Sequence, residues 1–226
     1  MAGILTFSQL AVEVCNTVQR DPTALARDAA TTWLVRAKQF INWAQTKIAQ
    51  DASVLFGHDF SDFQTEGNIS LTYAGGGSYD EPADCKSIYS LHLSGAVTAM
   101  LRFRPMKEFF ERYPIASAET TGQPIDWTSW NHKIWTNCVP NVTYTANLKY
   151  VKWPTQLTLD ADVSSFPGLD RLIVTCAVYM AYEALLETEE AAHWRTEFDE
   201  QLKRCVAADA TRLGESVPGL TQPTGT

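Results

Sequence analysis

The feature that most constrains the fold is the run from Leu169 to Leu213. It follows Pro167-Gly168 and holds no proline or glycine before Gly214. Leu169, Leu172, Ile173, Cys176, Ala177, Met180, Ala181, Ala184 and Leu185 recur at three- and four-residue steps, the spacing of one buried helical face. The acidic stretch Glu187-Thr188-Glu189-Glu190 interrupts it, and Trp194, Phe198, Leu202 and Val206 resume it. The run therefore predicts two helices in tandem, or one bent near Thr188, which could cap the second segment. So wide an apolar face is not stable alone in water. The rest of the chain, or a neighbouring copy, has to cover it.

Thr6-Phe7-Ser8-Gln9 fits a capping box opening a helix that runs to about Val18. Asp21-Pro22-Thr23 breaks it. A longer amphipathic helix is expected from Ala24 to about Ala49, with Trp33, Leu34, Ala37, Phe40, Ile41, Ala44 and Ile48 on its apolar side. After Gly57 the period changes. Residues 68–73, 87–93, 97–103, 125–127, 132–136 and 142–151 read as strands, the last with Tyr144, Ala146, Leu148 and Tyr150 on one face. Gly75-Gly76-Gly77-Ser78 reads as a flexible turn, and Pro105 opens a short helix through Tyr113. The expected class is α+β: a bundle of N-terminal helices and the long C-terminal helical run, with an inserted antiparallel β domain. The expected boundaries are 1–57 and 155–213 for the bundle, 58–154 for the β insertion and 214–226 for an extended tail.

Nothing in the sequence assembles a catalytic constellation. His58, His92, His132 and His193 have no second histidine or cysteine at metal-ligand spacing. The glycine-rich turn lacks the lysine and following helix of a phosphate loop, and no Gly-x-Ser-x-Gly elbow exists. Asp160, Asp162 and Asp170 do not complete a calcium loop, because Ser165 and Arg171 stand where glycine and glutamate are needed. They read as caps and turn residues. The cysteines, without a Cys-x-x-Cys pair, read as buried thiols. The expectation is a non-enzyme with no cofactor or metal. The N-terminus has no basic region of the kind a secretion signal carries, and the most apolar window, Leu172 to Tyr182, is too short to span a bilayer. Trp127, Trp130, Trp135 and Trp153 fall in the β part and suit either a core or subunit interface or, in a second reading, a module that binds carbohydrate or peptide.

Several stretches, in order, resemble the head–tail adaptor proteins of tailed bacteriophages. These are Phe7-Ser8-Gln9-Leu10, Trp33-Leu34-Val35-Arg36-Ala37-Lys38-Gln39-Phe40-Ile41, Phe109-Phe110-Glu111-Arg112-Tyr113-Pro114 and Gly122-Gln123-Pro124. The most specific match is C-terminal: Tyr144 to Trp153, Pro154 to Thr158, Phe166 to Ile173, and Trp194 to Phe198. The resemblance implies a virion protein of the neck, assembled in the host cytoplasm as a ring, usually of twelve copies, beneath the portal. Such a ring extends the DNA channel and offers a docking surface to tail and nozzle proteins. Double-stranded DNA passes through it without specific binding, and no membrane is involved.

The net charge of −8 agrees with a conduit, since an acidic wall does not grip phosphates. A ring contact is expected on the helix carrying Trp33, Arg36, Lys38 and Phe40, packed near the long helical run of the next copy. The tail, with Val217, Pro218, Leu220 and Pro223, is a candidate anchor to the portal, because the resembling proteins often insert a terminal arm there.

Overall fold

The computed structural model describes residues 5–24, 26, 31–94, 98–114, 121–166 and 168–214. The chain divides into two compact units: Met1–Phe63 with Pro154–Thr226, and Gln64–Trp153.

The first unit is helical. Helix α1 spans Phe7–Thr17, and the capping box is formed: Thr6 accepts from the Gln9 amide while the Gln9 side chain accepts from the Thr6 amide. Helix α2 spans Trp33–Phe56 and differs at both ends from the Ala24–Ala49 helix that periodicity predicts. Its start is delayed because local turns take the backbone groups ahead of it. Asp21 Oδ1 accepts from the Thr23 amide, the Ala26 amide donates to Thr31, and the Trp33 amide donates back to Ala24. Its end is set by Gly57, whose left-handed backbone (φ 62°) lets its amide donate to Ser53.

The long apolar run becomes two helices, α4 (Asp170–Leu185) and α5 (Thr188–Leu213); α3 (Met106–Arg112) belongs to the other unit. They break at Leu186, which turns left-handed at φ 63°. Thr188 is the first helical residue of α5 and makes no cap; Glu187 precedes it, also without a side-chain cap bond. Helices α1, α2 and α5 all pack against α4. Leu172, Ile173, Cys176, Ala177 and Val178 of α4 are buried to 2% exposure or less, so this part of the apolar face is covered within the chain itself. Burial pushes the Cys176 thiol well above its ordinary pKa.

The second unit holds β1 (Gln64–Leu71), β2 (Ser78–Asp80), β3 (Cys85–Ser94), β4 (Ala99–Met100), β5 (Arg102–Phe103), α3 (Met106–Arg112), β6 (Thr121–Gly122), β7 (Asp126–Trp130), β8 (Lys133–Thr136), β9 (Val139–Pro140) and β10 (Tyr144–Lys152). One sheet has the order β1-β10-β3-β4 and a second β2-β8-β7-β5; β6 and β9 form a separate pair. The main pairings are antiparallel as expected, but β5–β7 and β6–β9 are short parallel contacts. The strand expected over 97–103 is split at Leu101, which is buried in the core while its neighbours pair with different sheets. The strand expected over 68–73 starts earlier and ends at Leu71, where a 3-10 turn over Tyr73–Gly75 takes over. His132 lies in the β7–β8 turn with Asn131, both at positive φ, so it is outside the strand. Both larger sheets contribute to the core. Leu71, Leu91, Leu93, Ala146 and Leu148 come from the first, and Trp127 and Ile134 from the second.

Candidate functional site

In the helical unit, the four residues expected at a ring contact separate into two kinds. Trp33 and Phe40 are buried inside the chain's own helical unit, at 9% and 2% exposure. Any contact made by this helix therefore falls to its outer side. Lys38 is also engaged within the chain: its ammonium pairs with Asp160 and lies 5.4 Å from the centre of the Phe7 ring. Arg36 is half-buried, its guanidinium 5.6 Å from the Phe40 ring centre and Nη1 donating to Gln39 Oε1 at 3.0 Å.

The same helix also exposes a tryptophan that its apolar spacing does not include, Trp43, at 52% exposure. Its ring meets Phe40 edge-on, with centroids 5.7 Å apart. Phe40 thus braces Arg36 and Trp43 on one side of α2. A tryptophan outside the apolar spacing of an amphipathic helix is the signal that points to it.

A groove of about 730 Å³ opens between α1, α4 and α5, with Leu5, Glu13, Asp170, Val174, Trp194 and Glu197 among its lining. Asp170 Oδ2 accepts from the Leu5 amide at 2.9 Å, so this carboxylate ties the N-terminal segment to the start of α4. Its Oδ1 is buried without a hydrogen-bond partner. His193, at the groove edge, lies beside Trp194 with ring centroids 5.8 Å apart.

The C-terminal end of α5 is held by a buried polar clamp. Asp209 Oδ2 lies 2.9 Å from His58 Nε2 and accepts from the Ser61 amide at 2.9 Å. Oδ1 accepts from Ser61 Oγ at 2.8 Å and from Arg212 Nη2 at 2.7 Å. This clamp is why residues 58–63 belong with the helices. Burial acts to raise the Asp209 pKa, but the Ser61, His58 and Arg212 interactions outweigh it and hold the carboxyl below its ordinary value. Although His, Ser and Asp meet here, the serine hydroxyl donates to the carboxylate. A triad needs that hydroxyl on the imidazole, so this arrangement activates no nucleophile.

In the β unit, Asp126, 2% exposed, accepts from Arg104 Nε at 2.6 Å and from Tyr113 at 2.7 Å, and Arg104 also pairs with Glu108. Burial raises the Asp126 pKa, but these donors win and leave it lowered. The network joins α3 to β7. Of the four tryptophans expected to cluster here, Trp127 fills the core. Trp130 and Trp135 meet Phe110 edge-on at 5.5 and 5.7 Å, and Trp153 lies under Lys86. Trp130 and Trp153 remain exposed at 47% and 37%.

Among the described residues no group of three or more His, Cys, Asp or Glu is placed to hold a metal ion. No described helix is long and apolar enough to cross a membrane. Val217, Pro218, Leu220 and Pro223 lie outside the described residues.

The family model of the SU10 adaptor protein matches residues 5–219, nearly the whole chain. The chain belongs to the SU10 adaptor protein family. None of the curated proteins matches it. The family carries a phage head–tail adaptor role, an association with portal and tail proteins and a place in the virion neck.

Proposed function

We propose that the chain is a neck subunit that closes into a ring beneath the portal, in twelve copies, extends the DNA channel and presents a docking surface to tail components. The observation that carries this reading is the family match over residues 5–219. The chemistry is consistent with it. Each copy carries −8, so a ring multiplies an acidic charge that repels phosphates and lets the duplex slide. The apolar face of α4 is largely covered within the chain, so we assign the ring contacts to outer surfaces, among them the Arg36 side of α2. The tail after Gly214 is the segment we assign to portal docking, through Val217, Pro218, Leu220 and Pro223. No chemical step is assigned to the subunit. Negative-stain microscopy of the purified protein, alone and mixed with portal, tests the proposal. Closed rings coaxial with portal are expected, and isolated subunits in both samples would refute it.

A further inference from the structure

Two surfaces of the helical unit are complementary, and no residue of one lines the other. The first is the ridge on the outer side of α2. Arg36 and Trp43 are seven residues apart, close to two helical turns, so they project within about 20° of each other and roughly 10 Å apart along the axis. The buried Phe40 ring touches both side chains and holds them in place. A rigid exposed tryptophan next to an arginine is the composition of an interface anchor. The second is the groove between α1, α4 and α5. Val174 and Trp194 give it apolar surface, while Glu13, Asp170 and Glu197 place three carboxyl groups around it against the single Arg171 guanidinium. Arg171 is itself 86% exposed and only 3.9 Å from Glu197, a loose pairing. Asp170 Oδ1 is an acceptor removed from water with no donor, and such atoms ordinarily find a partner.

We infer that the groove of one copy receives the α2 ridge of the next: Trp43 packs against Val174 and Trp194, and Arg36 enters the acidic rim and donates to Asp170 after a small rotation of that carboxylate. The occupant is a second copy of this chain because the chain itself carries the matching cation and indole. The two patches differ, as a head-to-tail contact that closes into a ring requires; two identical patches would stop at a dimer. The inference rests on the ring reading and names its interface. It also explains why an amphipathic helix keeps a tryptophan on its polar side.

The test uses the full-length protein, with ring fraction read by native mass spectrometry at the concentration where the wild type is half assembled. Trp43→Ala and Arg36→Glu are each expected to lower the ring fraction roughly tenfold, as loss of an interface anchor does. Melting temperature should stay near wild type, because both side chains lie on the outer side of the helix. Reversing the rim with Glu13→Arg and Glu197→Arg should break rings in the same way. Combining Glu13→Arg with Arg36→Glu should recover most of the assembly. Rings untouched by Trp43→Ala and by the rim reversal would overturn the interface and leave the ring reading standing. A ridge effect without rescue by the reversed rim would overturn the groove as its receptor. A wild type that forms no ring, alone or with portal, would overturn both. If Arg36→Glu does not fold, Trp43→Ala and the rim variants read the same contact from either side.

Discussion

Replacing Asp209 by alanine is expected to loosen the whole C-terminal end of the helical bundle, and the size of the effect follows from what the carboxylate holds. It accepts from the Ser61 amide, Ser61 Oγ and Arg212, and it lies 2.9 Å from a ring nitrogen of His58, which is 2% exposed. The Arg212 guanidinium is 59% exposed and can turn to water, so its loss counts for little. The Ser61 hydroxyl can also rotate outward. The buried His58 nitrogen and the part-buried Ser61 amide cannot. A buried group that loses its partner costs about 1–3 kcal/mol, and the part-buried Ser61 amide counts at the low end, about 1 kcal/mol, so the two together come to roughly 2–4 kcal/mol. For a chain of this length that corresponds to a fall in melting temperature of about 5–15 °C. Asp209→Asn keeps one acceptor oxygen and should fall between the two. The assay is circular dichroism at the helix band, with hydrogen exchange at the last turns of α5 as the local readout. Asp209→Ala melting within about 1 °C of wild type would refute the reasoning. The effect also has a pH signature. The folded carboxyl sits below its ordinary pKa, so it binds its proton more weakly than in the unfolded chain. Its contribution is complete above the ordinary aspartate value near pH 4 and is lost as pH falls through the lowered folded value. The gap between wild type and Asp209→Ala should therefore shrink below about pH 4.

Three further outcomes are expected. Gly57→Ala should cost about 1 kcal/mol in thermal or urea unfolding, since an added Cβ meets nothing within 4 Å and only the left-handed backbone is strained. Lys38→Ala should lower stability by about 0.5–1 kcal/mol without changing the ring fraction, because its ammonium is engaged with Asp160 and Phe7 of its own chain and Asp160 is 70% exposed; a lost ring with unchanged melting would contradict this. Truncation after Gly214 should leave a folded subunit that no longer binds portal in a pull-down, and undiminished capture would remove the tail from that role.

Much of the fold is legible along the chain because local chemistry and long-range packing agree there. The Thr6 capping box, the proline that opens α3 and the alternation of β10 are each decided within a few residues, and the structure repeats them. The start of α2 was not legible. Its apolar spacing runs back toward Ala24, but the turn built on Asp21 and the backbone bonds from Ala26 and Trp33 claim those groups first. Its end at Gly57 carried a local signal in the glycine itself, which periodicity alone passes over.

The surfaces divide in the same way. Composition and spacing determine that this is an acidic α+β chain with a broad apolar helical run, because those properties belong to single segments. Which side of α2 faces outward depends on α1 and α4 lying against it. Trp33 and Phe40 are interior for that reason, and Trp43 is not. The clamp at Asp209 joins positions 151 residues apart, and the groove draws its walls from three helices. No spacing rule reaches across such separations, because the side chains meet only once the helices have packed.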